Sequence, residues 1–149
     1  MKTLKLLFIG LICLIAFSSF AEQGKWVKGF GQGNLEYSIN NASLQLRINC
    51  PTQKGSDTAS SGLVLVANPS SGEDQAIKSF KVEVNGNTYI GPFYTGSRVD
   101  DNNFISFLDD IRKTDAKVTF GKNVITFPVS NVASVVPTYK SKNFSCNIL

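Results

Sequence analysis

The sequence predicts a mainly β protein of the α+β type: an antiparallel β-sandwich or sheet with two short helices packed at one side. Three observations support this. Short segments alternate apolar and polar residues at period two, turns rich in asparagine and glycine join them, and only two stretches show helical signals. Strands joined by tight turns form antiparallel sheets, because parallel strands need long crossover connections.

The first three strands are predicted near the start of the mature chain. Residues 25–30 (KWVKGF) alternate loosely and lead into a glycine-rich turn, GFGQG at residues 29–33. That turn lacks the spacing of a nucleotide-binding loop, and no helix follows it. Residues 34–39 and 43–48 alternate cleanly on either side of an Asn-Asn turn at positions 40 and 41, which predicts a β-hairpin.

The middle of the chain predicts a buried strand and a second hairpin. The polar stretch at residues 51–62 predicts a loop, and the apolar run LVLVA at residues 63–67 predicts a strand buried on both faces. A turn region at residues 68–75 precedes the alternating segment 79–84. The sequence NGN at residues 85–87 then predicts a tight turn into a return strand.

The segment YIGPFYTGSR, residues 89–98, places three aromatic side chains among turn-forming residues. Gly91-Pro92 is expected to interrupt the return strand, because proline cannot donate a hydrogen bond to a strand ladder. Phe93 is expected in the core, and Tyr94 and Arg98 on the surface.

Residues 102–114 predict the first helix, since their apolar positions form one stripe. Asp100 and Asp101 lie at its expected start, and Arg112 and Lys113 in its expected last turn, which suits the helix dipole. Two strands follow, at residues 117–120 and 124–129. A short second helix is then expected, capped by Ser130 and ending at residue 136.

The first 21 residues have the pattern of a cleaved secretory signal peptide. Lys2 and Lys5 precede an apolar run, and Ser19-Phe20-Ala21 has the small residues of a signal-peptidase site. A lipoprotein site at Cys13 is the weaker alternative, because Ile12 stands where a small residue is needed. We therefore expect residues 22–149 to form a single β-rich domain located in the periplasm, with the extracellular space as the alternative, and with no membrane insertion after cleavage.

The mature chain is predicted to contain one disulfide, between Cys50 and Cys146. Cleavage after residue 21 would remove Cys13 and leave two cysteines. An even number of cysteines in an exported chain favours pairing over a free thiol. This bond would tie the end of the chain to the end of an early strand.

Composition and motifs disfavour most catalytic classes. The chain has no histidine, which removes the commonest general base, metal ligand and Ser–His or Cys–His pairs. Basic and acidic residues are interspersed, so no nucleic-acid surface is indicated. The acidic pairs at positions 100–101 and 109–110 are interpreted as solvated residues of a capped helix. No cofactor or metal site is expected, and an enzyme using Asp, Glu and Tyr is the least favoured class.

Four side chains are candidates for contact with a protein partner: Tyr94, Arg98, Trp26 and Tyr89. Tyr, Trp and Arg dominate the energetics of protein interfaces. For Trp26 a position in the core is the competing interpretation, and the face of Tyr89 is ambiguous. A homodimer is the other association considered.

Several short segments resemble small exported bacterial proteins of the invasion-associated locus B type. They are SLQLRINC, VEVNG at residues 82–86, GPF, and ITFPVSN at residues 125–131. In its general profile the chain is also similar to periplasmic immunity proteins that neutralise cell-wall-degrading toxins of type VI secretion, and to lysozyme inhibitors.

These resemblances imply a binding protein that is not an enzyme. We expect an immunity protein or inhibitor that occludes the active site of a cell-wall hydrolase. The alternative is a structural or adhesion-associated envelope protein of the invasion-associated type.

Overall fold

The computed structural model describes residues 22–31, 34–51, 62–69, 75–144 and 146. The described residues form nine strands and two helices. In chain order these are β1 (Trp26–Gly31), β2 (Asn34–Asn41), β3 (Leu44–Pro51), β4 (Leu63–Ala67), β5 (Phe80–Val84), β6 (Asn87–Gly91), β7 (Phe93–Tyr94), α1 (Arg98–Asp110), β8 (Ala116–Phe120), β9 (Asn123–Phe127) and α2 (Val132–Val135).

The strands form two antiparallel sheets, which confirms the predicted fold class. One sheet has five strands in the order β1-β2-β3-β4-β7, and the other has four in the order β6-β5-β8-β9. One core cluster draws on both sheets and on α1. Its most deeply buried members include Ile39, Leu46, Ile48, Val64, Val82, Val118, Phe104 and Phe107.

Both predicted hairpins are present, but the first turns later than expected. Asn40 and Asn41 remain paired in β2, and the turn falls on Ala42 and Ser43, with Ala42 at a positive φ of 51°. The second hairpin turns at Asn85 and Gly86, as predicted. Their φ angles of 50° and 79° match the type I′ turn that favours an Asn-Gly pair.

The strand β4 is buried on both faces, as the apolar run LVLVA predicts. Val64 and Val66 belong to the main core. Leu63, Leu65 and Ala67 face the other way and form a smaller cluster with Ala76.

The predicted interruption at Gly91-Pro92 is also the point where the chain changes sheets. β6 pairs with β5 in the four-stranded sheet, and β7 pairs with β4 in the five-stranded sheet. Only two residues of β7 are paired, opposite Leu63 and Val64.

Position 91 requires a glycine, because the ring of Phe80, its partner across the sheet, leaves no space for a side chain there. A Cβ atom at position 91 would lie 2.1 Å from Cζ of the Phe80 ring, and that ring is buried. We therefore expect Gly91→Ala to lower the free energy of unfolding by about 3 kcal/mol, at the upper end of ordinary overpacking. Urea denaturation measures this. Gly29→Ala is the control, because a Cβ at position 29 meets nothing within 4 Å. Equal effects of the two substitutions would contradict this account.

The first helix begins four residues before the predicted start and ends at Asp110. The Ser97 side chain caps it by accepting a hydrogen bond from the Asp100 backbone N–H at 3.2 Å. Arg112 and Lys113 lie beyond the helix, so the prediction that they occupy its last turn is wrong. The Arg112 guanidinium instead donates to the backbone carbonyls of Val136 and Ala133 at α2.

The second helix is short, and its predicted cap is wrong. Asn131, and not Ser130, occupies the N-cap position, and Ser130 has a positive φ of 34°. The Asn131 side chain does not cap α2. Its amide instead binds the backbone N–H and C=O of Trp26, at 2.8 and 3.0 Å.

The predicted disulfide joins Cys50, at the end of β3, to Cys146. The predicted signal peptide and most of the predicted loop at residues 51–62 lie outside the described residues. Neither of the two described helices has the length and apolar character needed to cross a membrane.

Candidate protein-binding site

A ridge formed by Pro92 and Tyr94 separates two grooves on the surface, and both residues line both grooves. We call it the Tyr94 ridge. The sequence places it here because the chain leaves one sheet at Gly91 and enters the other at Phe93, so the segment crosses between sheets at the surface.

The larger of these grooves, of about 440 Å³, runs between β6 and the start of α1. We call it the β6 groove. Asn87 and Val84 flank a two-residue turn and so form a hydrogen-bonded pair. Since such pairs alternate along an antiparallel ladder, the backbone N–H and C=O of Thr88 and Ile90 point away from β5 and towards this groove. Its side-chain lining includes Asp100 and Asn103 from α1.

The smaller groove, of about 290 Å³, lies on the other side of the ridge. It is largely apolar, with Leu63, Leu65, Ala76 and Ile77 in its lining, and Lys78 as its charged residue. The ridge therefore stands between a groove of mixed polarity that contains a carboxylate and a more apolar groove that contains an ammonium group.

Apolar side chains are exposed on the ridge and on the two elements that flank it in the chain, β6 and α1. Tyr94 is 53% exposed, Ile90 66% and Val99 68%. Arg98 is also exposed, at the first residue of α1. Exposed apolar side chains in a group are typical of interaction surfaces, whereas single ones are ordinary.

The ridge rests on packed aromatic rings. Phe93 stacks on Tyr89, with ring centroids 5.9 Å apart, and both rings meet Phe107 of α1 edge to face, at 5.2 and 5.4 Å. Such contacts add to the free energy that burial contributes. They hold β6, β7 and α1 together directly beneath the site.

A buried carboxylate, Asp110, joins the second hairpin to the end of α1. One of its oxygens accepts hydrogen bonds from Asn85 Nδ2 at 2.8 Å and Lys113 Nζ at 3.2 Å. The other accepts from Asn87 Nδ2 at 2.7 Å and the Tyr89 hydroxyl at 2.6 Å. We call these five residues the Asp110 network.

The network changes the acidity of two of its members. Burial alone would raise the pKa of Asp110, but the hydrogen bonds from Tyr89, Asn87, Asn85 and Lys113 outweigh it and lower the pKa from 3.8 to about 2. Burial, and then the hydrogen bond to the Asp110 carboxylate, raises the pKa of Tyr89 well above its ordinary value of 10.0. At neutral pH the pair is therefore a carboxylate and a neutral phenol.

The family of the chain is shown by a family model that matches residues 24–136, from just before β1 to just beyond the end of α2. The chain belongs to the YfjT family. It is 34% identical over 131 residues to a protein of Escherichia coli (strain K12) named "Uncharacterized protein YfjT", covering 83% of this chain and 84% of that protein. It is 33% identical over 104 residues to "Uncharacterized protein YkfB" of the same organism, covering 67% of each. No solved structure matches the chain.

The YfjT match contains the Tyr94 ridge and the Asp110 network, and ends before Cys146. The resemblance to the invasion-associated locus B type and the similarity to immunity proteins receive no support from these comparisons. The family shown is YfjT.

In this YfjT-family chain two of the four predicted contact residues are exposed and two are not. Tyr94 and Arg98 lie on the surface, as predicted. Trp26 is 3% exposed and Tyr89 is 8% exposed, so neither is displayed to a partner. The interpretation of Trp26 as a core residue is confirmed, and the ambiguous face of Tyr89 is the inward one. Trp26 is buried because it lies opposite Ile39 on the core face of β1, and Tyr89 because it points inward to Asp110 and Phe107.

The interpretation of the acidic pairs as solvated is wrong for one member of each. Asp101 and Asp110 are both 4% exposed, while Asp100 and Asp109 are exposed. Asp101 accepts a hydrogen bond from the Gly96 backbone N–H at 3.0 Å, which closes the turn before α1. Nine residues make about two and a half helical turns, so Asp101 and Asp110 lie on opposite edges of the inward half of the helix, and the apolar stripe alone did not mark them as buried.

Metal ligands do not gather in the part of the YfjT fold that the structure describes. No group of three or more His, Cys, Asp or Glu side chains there is arranged to hold a metal ion. The residues that sequence reasoning missed are Ile90, Val99 and Asp110. Ile90 was passed over because a period-two pattern does not say which face of an edge strand stays open. Val99 was passed over because the helix was predicted to begin after it, at residue 102.

Proposed function

We propose that this YfjT-family chain is an exported binding protein that is not an enzyme, and that it inhibits a cell-wall-degrading hydrolase by occluding the active site. The observation that carries the proposal is the Tyr94 ridge, an exposed aromatic projection flanked by two grooves. The amino-terminal signal pattern and the Cys50–Cys146 disulfide support export, since disulfides persist in oxidising compartments.

The ridge has the chemistry of an interface anchor. Tyrosine and arginine are enriched among the residues that dominate binding energy, and Tyr94 and Arg98 are both exposed here. Ile90 and Val99 add apolar surface around them. A convex ridge of this kind fits a concave substrate cleft, which is the shape that a hydrolase needs to hold a polymer.

The ridge is also held rigidly. The Asp110 network fixes β6 to α1, and the stacked rings of Tyr89, Phe93 and Phe107 lie beneath the ridge. A surface that is ordered before binding loses less conformational entropy when the complex forms. The backbone groups of Thr88 and Ile90, which point away from β5 and have no backbone partner among the described residues, offer the partner hydrogen bonds as well as apolar contact.

The proposal is tested by digestion of purified peptidoglycan. A muramidase, an amidase and an endopeptidase are each assayed with and without residues 22–149, and we expect one class to be slowed. Replacing Tyr94 and Arg98 together by alanine is expected to weaken that inhibition by about 30-fold or more, as loss of an interface anchor does. Inhibition constants from titration of the chain give the comparison.

The matched control is the double substitution Lys122→Ala with Val124→Ala, which removes one basic and one exposed apolar side chain from the β8–β9 hairpin. It is expected to leave inhibition unchanged. If no hydrolase class is slowed, or if both double variants inhibit equally well, the proposal fails. Loss of envelope integrity on gene deletion, without greater sensitivity to a hydrolase, would instead favour the envelope-structural alternative.

A further inference from the structure

The first strand of the five-stranded sheet has an open edge. The backbone N–H and C=O of Trp26 bind the Asn131 side chain, so they point away from β2. Because the direction alternates along an antiparallel strand, the backbone groups of Lys28 and Phe30 also point away from β2. Neither residue has a hydrogen-bond partner on that side among the described residues.

A groove of about 780 Å³ runs beside this edge. We call it the β1 groove. One wall is the start of β1, from Trp26 to Lys28, and the other is α2 with the segment that follows it, residues 133–138, 141 and 143. The disulfide joins Cys146, three residues after Asn143, to β3, and so restrains the chain just beyond the far wall.

An exposed aromatic ring extends the groove along the strand. Phe30 pairs with Leu35, so its side chain lies on the same face as the buried Leu35 and Trp26. It is nevertheless 71% exposed, because none of the described residues covers that end of the core face. An exposed aromatic side chain on the core face of a sheet is suited to pack against a bound peptide segment.

The charge of the groove is positive. Among the residues that the structure describes, Lys28 and Arg112 are the charged side chains in its lining, and none of the lining side chains is acidic. The other polar side chains in its lining are the hydroxyls of Tyr37, Ser134, Thr138 and Ser141 and the amide of Asn143. An occupant with carboxylates therefore complements the groove, and one with ammonium groups does not.

We propose that the β1 groove binds an extended acidic peptide segment of a protein partner, which joins the sheet as an added strand beside β1. The open backbone groups of Lys28 and Phe30 pair with the backbone of the segment, while Lys28 and Arg112 meet its carboxylates. Strand addition gives affinity through the main chain and specificity through alternate side chains. The Asn131 side chain already binds the backbone of Trp26, so the added strand pairs with β1 from Lys28 onward. Asn131 thereby sets the register of the added strand. This site is separate from the Tyr94 ridge, and either proposal can fail without the other.

The test uses a synthetic end-blocked peptide, Thr-Val-Glu-Val-Glu-Val-Thr, added to residues 22–149. Trp26 is the only tryptophan of the chain and lines the groove, so its fluorescence reports occupancy. We expect a saturable change in its emission, with NMR shifts at the Lys28 and Phe30 amides. Lys28→Glu should weaken binding about tenfold or more, and the control Lys122→Glu should leave it unchanged.

Two further peptides separate charge from strand pairing. The version with lysine in place of glutamate should bind at least about tenfold more weakly, and the version with N-methylated backbone amides should not bind. The proposal is overturned if Trp26 emission does not change, or if the N-methylated peptide binds as well as the parent. It is also overturned if sedimentation shows a dimer that Phe30→Asp dissociates, since a second copy of the chain would then cover the edge.

Discussion

Replacing Cys50 and Cys146 together by serine is expected to lower the free energy of unfolding by about 4–5 kcal/mol, the largest effect of any change considered for this chain. The two residues are 96 apart in sequence, so the bond closes a loop that contains the whole four-stranded sheet and strands β4 and β7 of the five-stranded sheet. Without it the unfolded chain regains the entropy of that loop, which grows with the logarithm of its length. Urea denaturation of the oxidised protein and of the double variant measures the difference.

A reductant provides the control for the disulfide. Dithiothreitol should destabilise the wild-type protein to about the level of the double variant, and should leave the double variant unchanged. Because the bond also restrains the chain just beyond the far wall of the β1 groove, the double variant should bind the acidic peptide more weakly even where it is fully folded. A loss of stability below about 1 kcal/mol would contradict the entropic account.

Asp110→Ala is expected to lower the free energy of unfolding by about 3–5 kcal/mol. The substitution leaves the hydroxyl of Tyr89 and the amides of Asn85 and Asn87 without their acceptor, and Tyr89 is buried. A buried donor without a partner costs more than the hydrogen bond itself contributes. Thermal or urea unfolding measures the effect.

Asp109→Ala is the matched control, because Asp109 is the adjacent aspartate on the same helix and is exposed. It is expected to change stability by no more than about 0.5 kcal/mol, as surface substitutions do. Similar losses for the two substitutions would show that the helix, and not the Asp110 network, is responsible.

The Asp110 network also predicts a dependence of stability on pH. The pKa of Asp110 is lowered from 3.8 to about 2 on folding, so its contribution is fully present above about pH 4 and is lost as the pH falls towards 2. That contribution is about 2 kcal/mol. The difference in stability between wild type and Asp110→Asn should therefore shrink across this window. A difference that stays constant down to about pH 2 would contradict it.

Some features of the fold follow from neighbouring residues alone. The Asn-Gly turn at positions 85 and 86 is predictable, since its backbone angles suit these two residues wherever they occur. The buried strand β4 follows from an apolar run too short for a helix. The disulfide follows from counting the cysteines that remain after the predicted signal peptide.

Other features depend on residues distant in sequence. Asp109 and Asp110 are identical in type and adjacent, yet only Asp110 is buried, because Asn85, Asn87 and Tyr89 of the second hairpin reach it. The face of Tyr89, which the sequence leaves ambiguous, is inward for the same reason. The predicted cap at Ser130 was wrong because α2 has Asn131 at its N-cap position, and the Asn131 side chain binds Trp26, more than a hundred residues away, instead of capping the helix.

The sequence by itself determined the class of fold, the disulfide, and the display of Tyr94 and Arg98, because each depends on local conformational preference or on counting. The tertiary structure decided that Gly91-Pro92 carries the chain between sheets, that Asp110 is a buried acceptor, and that the edge of β1 stays open. These features are set by which elements come to lie together, since burial and hydrogen bonding at one residue depend on the partners that the whole fold brings to it.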